Sequence, residues 1–84
     1  MGELSRCLNI GEVVEKQLNE VGISTYEELK KVGSKDAWLR IQEIDNSACI
    51  HRLYAFEGAI RGIKKNFIPD DVKADLKEFY NSHK

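Results

Sequence analysis

Apolar residues recur along this chain at steps of three and four, the spacing of a helix face, and no stretch alternates as a strand would. Between Gly11 and Val21, the residues Val14, Leu18 and Val21 share one face, with Glu12, Glu15, Lys16 and Glu20 elsewhere. Gly22 comes next, where a left-handed residue closes a helix. Thr25 and Glu28 have the spacing of a capping box, opening a short helix through Leu29 and Val32 that Gly33 ends. Ser34 is the expected N-cap of a third helix carrying Ala37, Trp38, Ile41 and Ile44. Asp45-Asn46-Ser47 is turn chemistry that can also cap a fourth helix.

That fourth helix is predicted to be the longest, near residues 47–65. Cys49, Leu53, Phe56, Ile60 and Ile63 recur at alternating steps of four and three, and Phe67 continues the series. Beside that stripe run the small residues Ala48, Ala55, Ala59 and Gly62, which let neighbouring backbones come close. Covered on two sides, this helix is expected at the centre. Glu57 and Arg61 are spaced for a helix ion pair. Pro69 marks a boundary, and Asp70 and Asp71 suit the first turn of a last helix burying Val72, Leu76 and Phe79. The expected fold is an all-α bundle of about five helices, with residues 1–84 forming one domain. Ile10-Gly11 and Val32-Gly33 are each an apolar residue, a glycine and a helix start, which gives the bundle a helix-hairpin-helix or SAM-like character.

Composition narrows the function. A chain of 84 residues has room for one core and little for an enclosed cleft. Its 42% hydrophobic and 32% charged residues belong to a folded protein, not a disordered one. The net charge of -1 lacks the positive surplus usual in proteins that live on nucleic acid. Met1-Gly2-Glu3 is acidic where a leader is basic, and no apolar run reaches membrane-spanning length, so a cytoplasmic protein without a membrane partner is expected. Cys7 and Cys49 lack metal-site spacing and are expected to be reduced and buried.

Catalysis has little to work with. His51 and His83 are the only neutral-pH bases, and His83 stands beside the C-terminus. His51 lies about 200° around a helix from Cys49, so the two cannot pair within it. No phosphate loop, H-E-x-x-H or paired-cysteine motif is present. No catalytic residue, metal, cofactor or small-molecule substrate is therefore expected.

Two binding chemistries are carried by residues. Backbone amides at a glycine turn and helix start can hold a phosphate, and Asn9-Ile10-Gly11 and Val32-Gly33-Ser34 both have that form. Around the first, Arg6 and Lys16 face Glu3, Glu12, Glu15 and Glu20, a net of -2. Around the second, Lys30, Lys31, Lys35 and Arg40 face Glu27, Glu28 and Asp36, a net of +1. DNA is therefore assigned to Lys30, Lys31, Gly33, Ser34, Lys35 and Arg40, against the simpler reading of each glycine as a tight turn. A protein partner or self-association is the favoured alternative. Its candidates are Ile50 and Tyr54, on the otherwise polar face of the long helix, with Arg61, Lys64 and Lys65 near its end. Those cations also complement the helix dipole. Trp38, Tyr54 and Phe67 read as packing, not as stacking platforms.

These residues resemble a known family. Leu8-Asn9-Ile10-Gly11, Leu18, Val21-Gly22-Ile23, Thr25, Leu29, Val32-Gly33, Ala37-Trp38 and Ile41 are similar to the first half of the TfoX C-terminal domain. Leu53-Tyr54-Ala55-Phe56-Glu57-Gly58-Ala59-Ile60 resembles its L-Y-A-L-E-G-A-L signature, and Ile68-Pro69 its terminal L-P. The chain differs in having Leu8 where the family has proline and Lys65 where it has tryptophan, and it is expected to lack the N-terminal domain of full-length members. The resemblance implies a role in regulating natural competence and DNA transformation.

Overall fold

The computed structural model describes residues 4, 7 and 9–83, and over these the chain is helical. Helix α1 spans Glu12–Glu20, α2 Tyr26–Val32, α3 Ser34–Ile44, α4 Ile50–Arg61 and α5 Asp70–His83, with a 3-10 turn at Lys65–Phe67 between α4 and α5. Among the described residues there is no strand. Glu3, Arg6 and Leu8 lie outside them.

Local chemistry sets most of these boundaries. Gly22, at φ 88°, ends α1 in a Schellman turn: the Ile23 amide reaches the Leu18 carbonyl at 2.8 Å and the Gly22 amide the Asn19 carbonyl at 3.2 Å. The capping box is present, with the Thr25 side chain accepting from the Glu28 amide and Glu28 accepting from the Thr25 amide. Gly33 alone separates α2 from α3. Its φ of 87° with ψ of 158° is a combination open to little besides glycine.

Helix α4 is the hub, packed by α2, α3, α5 and the 3-10 turn. Leu53, Phe56 and Ala59 from α4 join Leu18, Ile23, Leu29, Ala37, Trp38, Ile41 and Leu76 in one buried cluster, with Leu4 and Ile10 seated in it. Polar bonds fix the packing. The Tyr26 hydroxyl donates to the Ile60 carbonyl at 2.6 Å, and the Trp38 indole to the Cys49 carbonyl at 3.2 Å. Gln17, Asp45 and Arg52 form a triangle that joins α1, the turn after α3, and α4.

Several sequence expectations need correction. The central helix does not span 47–65. It runs Ile50–Arg61, because Gly62 takes the left-handed conformation at φ 74° and closes a second Schellman turn, the Ile63 amide meeting the Gly58 carbonyl at 2.9 Å. Nor is it the longest, since α5 has 14 residues and α4 has 12. Phe67, beyond the break, is 72% exposed instead of continuing the buried stripe. Cys49 starts that stripe exposed, so the buried-thiol expectation fails there. Ile44 is 49% exposed, because α3 ends on it and the chain turns away at Asp45. Ser34 is not the N-cap of α3. Gly33 holds that position and Ser34 is the first helical residue. Ser47 does not cap α4 either: its hydroxyl and amide both donate to Asp45 Oδ1.

Candidate interaction surface

The turn between α2 and α3 carries the proposed phosphate cradle, and its groups are engaged internally. Ser34 is buried, and its hydroxyl donates to Glu57 Oε1 of α4 at 2.6 Å. A carboxylate of the chain itself thus stands beside the first residue of α3, where the amide ends of a helix favour a negative charge. Arg61, one turn along α4, donates to the other Glu57 oxygen. Burial pushes the Glu57 carboxyl up, but the Ser34 hydroxyl, Arg61 and the Lys35 charge outweigh it and hold it below the ordinary glutamate range.

The cations around this turn are also partnered. Lys35 Nζ lies 2.7 Å from Asp75 of α5 and above the Phe79 ring. Lys30 pairs with Glu27 at 3.7 Å and sits over the Tyr26 ring. Arg40 lies 3.8 Å from Asp36 and reaches the Val21 carbonyl at 3.4 Å. Of the four, Lys31 alone has no ion pair among the described residues. The open groove beside Gly33 is lined by Lys35 and Arg61, but also by Asp36, Glu57, Asp71 and Asp75. Its acids outnumber its bases, so it repels a polyanion. The first cradle differs again: Gly11 is extended at φ -95°, and Asn9 is occupied elsewhere.

Asn9, which the sequence places only in the first candidate phosphate turn, has a different use in the fold. It is the one non-glycine residue with positive φ among those described, at 72°. Its Nδ2 donates to the Ile63 carbonyl at 3.0 Å and the Ala55 carbonyl at 3.5 Å, while its Oδ1 accepts from the Lys65 amide at 3.2 Å. The side chain lies directly over Gly58.

The proposed partner residues fall along one helix face. At ~100° per residue, Ile50, Tyr54 and Arg61 lie within ~40° of one another on α4. Ile50 and Tyr54 are half-buried and Arg61 is exposed. Lys64 and Lys65 stand beyond the break, both exposed, so the candidate surface runs the ~18 Å length of α4 instead of forming one spot. His51 is exposed and meets the Tyr54 ring edge-on. Sequence reasoning missed the exposed Val13, Ile44 and Phe67. Val13 had a signal, since it sits ~100° off the face that Val14 and Leu18 define. Among the described residues no His, Cys, Asp and Glu side chains gather as a metal site, and no helix is long and apolar enough to cross a membrane.

The Glu57 arrangement carries a pH prediction. With its folded-state pKa below the unfolded value, Glu57 contributes stability that is full above about pH 4.5 and lost as pH falls through the folded value. Glu57→Gln is expected to be less stable than the parent at neutral pH and to close the gap in acid, measured by urea midpoints. A gap constant down to acid would assign the loss to packing instead of charge.

The comparisons with known proteins agree on one relationship. A family model described as the TfoX C-terminal domain matches residues 1–80. Protein Sxy of Escherichia coli (strain K12) is 32% identical over 74 residues, which cover 88% of this chain and 35% of Sxy. The chain thus spans about a third of that curated relative. An uncharacterized protein from Listeria monocytogenes, in a triclinic crystal form, is 48% identical at a TM-score of 0.94, covering 96% of this chain and 92% of that one. A tetragonal structure of a Listeria monocytogenes protein of unknown function, also 48% identical at 0.94, covers 98% and 100%. By sequence along almost its whole length, this chain belongs to the TfoX C-terminal domain family.

Proposed function

We propose that residues 1–84 act as one non-enzymatic interaction module of the cytoplasm, serving the competence-type regulation that family membership implies and binding a protein partner. The supporting observation is the outward face of α4, where Ile50 and Tyr54 stay half-covered on a helix that is otherwise the hub of the core. Half-covered apolar side chains in line with exposed cations provide an anchor and a polar rim, the anatomy of a binding face. Arg61, Lys64 and Lys65 supply the rim.

Direct DNA binding through Lys30, Lys31, Gly33, Ser34, Lys35 and Arg40 is the second reading. Lys31, which has no ion pair among the described residues, favours it; the ion pairs of Lys30, Lys35 and Arg40 and the bond of the Gly33 amide to the Leu29 carbonyl at 2.8 Å weigh against it.

One set of variants separates the two. Tyr54→Asp is expected to abolish regulatory activity in cells while the protein, though destabilised where Tyr54 packs on the core, stays folded by circular dichroism. Lys31→Glu with Lys35→Glu is expected to leave activity intact. A folded Tyr54→Asp protein with full activity would remove the α4 face. Loss on the lysine changes, accompanied by weaker duplex binding on every sequence alike and a lower salt slope, would establish the DNA reading.

A further inference from the structure

Gly62 ends α4 and turns the chain into a corner of distinctive composition. From Gly58 to Pro69 the sequence holds Arg61, Lys64 and Lys65 and no carboxylate, in a chain of net charge -1. Arg61 is paired with Glu57, whereas no ion pair reaches Lys64 or Lys65 among the described residues. Two residues on, Phe67 is 72% exposed, the one aromatic among the large apolar side chains exposed in the described chain. The backbone beneath it is held. The Lys65 amide donates to Asn9, the Phe67 amide to the Lys64 carbonyl at 2.9 Å, and Ile68 is buried directly after it. An apolar ring is thus displayed to solvent on a fixed turn, beside two uncompensated positive charges.

We infer that this corner binds single-stranded nucleic acid, one base stacking on Phe67 while adjacent phosphates meet Lys64 and Lys65. An unpaired base offers a flat face that a duplex keeps inside its own stack, and stacking on an aromatic side chain is sequence-tolerant. The occupant is set by charge and shape together: Lys64 and Lys65 call for an anionic chain, and the exposed ring between them and the buried Ile68 calls for a flat face on that chain. The site shares Lys64 and Lys65 with the rim proposed for the α4 face, but Phe67 belongs to the corner alone, so the Phe67 variants test this inference independently of that reading.

Fluorescence anisotropy at low salt with labelled oligo-dT, oligo-rU and a duplex of equal length tests the assignment. The parent is expected to bind both single strands in preference to the duplex. Phe67→Leu, which keeps an apolar side chain and removes the flat ring, is expected to lose about 5- to 150-fold, while Phe67→Trp retains binding. Lys64→Gln with Lys65→Gln is expected to lower the salt slope by ~1.4, at ~0.7 per phosphate contact. Lys77→Gln, an exposed lysine of α5 outside every proposed site, is expected to change nothing. Binding of neither single strand, or equal binding by Phe67→Leu, would overturn the inference. So would loss on Lys31→Gln in place of the corner variants, which would move the contact to the Gly33 turn.

Discussion

Gly58→Ala is expected to lower the melting temperature by about 8–16 °C, corresponding to about 2 kcal/mol for a domain of this size. In most helix interiors the same change stabilises by about 0.5–1 kcal/mol, so the sign itself is diagnostic. A β-carbon at Gly58 would stand 2.6 Å from Asn9 Nδ2, 2.8 Å from the Ile63 carbonyl oxygen and 3.3 Å from the Lys65 nitrogen. The Asn9 amide cannot move away freely, because it bridges the Ala55 and Ile63 carbonyls and takes the Lys65 amide. Displacing it breaks the tie between the segment before α1 and the end of α4. Asn9→Gly separates the contributions: it keeps the positive φ at no cost and removes the bonds and the clash with the side chain. The Asn9→Gly/Gly58→Ala protein should be more stable than the sum of the single changes, yet below Asn9→Gly alone, since the Ile63 carbonyl remains in place. Thermal melts of the four proteins decide it. A neutral or stabilising Gly58→Ala would mean that the Asn9 bridge does not form in solution.

Asn9 and Gly58 also show where the sequence stops being legible. Both belong to the stretches that carry the family resemblance, but 49 positions separate them and no local rule pairs them. The helix boundaries legible in the sequence are those whose signals are local: the Thr25–Glu28 box, Gly22 and Gly33 as stops, Pro69 before α5 and two aspartates in its first turn. The error at 62–67 has a specific cause. The pattern assigns Gly62 to a face of small residues, because period alone cannot tell a close-packed helix glycine from a terminating one. The glycine that is closely packed is Gly58, and Gly62 is the stop. That single exchange carries Phe67 from the core to the surface.

Charge around the Gly33 turn is where a sequence window stops being informative. Lys30, Lys35 and Arg40 are near Gly33 in sequence, but in the fold Lys30 sits over Tyr26, Lys35 meets Asp75, and Arg40 meets Asp36 and the Val21 carbonyl. Their local count of +1 omits Asp75 and Glu57, which α5 and α4 bring in from 40 and 22 positions beyond Lys35. A sequence window cannot include carboxylates supplied by tertiary contact, and here they decide whether the turn attracts a phosphate. The same holds for Asp45, whose carboxyl is held far below its usual range by the Ser47 hydroxyl, by Gln17 across on α1 and by the Ser47 amide, with burial opposing and Arg52 adding to the effect.

Trp38→Ala is expected to cost about 3–5 kcal/mol, a large share of the roughly 4–13 kcal/mol that a chain of this length holds in total. Trp38 is fully buried on α3 and meets the Phe79 and Tyr80 rings of α5 edge-on, at 6.0 and 5.4 Å. Its indole N–H also satisfies the Cys49 carbonyl in the connection to α4. One side chain therefore joins α3, α5 and the entry to the hub helix, and its removal leaves a large cavity and an acceptor without its donor. Trp38→Phe retains ring contacts and loses the hydrogen bond, so about 1–3 kcal/mol is expected there. The milder variant has a further use. Asp75 and Phe79 of α5 are the groups that hold Lys35, so an α5 loosened at Trp38 releases that cation. If the internal carboxylates are what keep the Gly33 turn from phosphate, Trp38→Phe and Asp75→Asn should both raise duplex affinity at low salt, while Asp75→Asn leaves the urea midpoint nearly unchanged. Urea midpoints and anisotropy on these two proteins decide it. Affinity that rises in neither, with Trp38→Phe clearly destabilised, would show that the turn lacks a phosphate site even when its lysine is free.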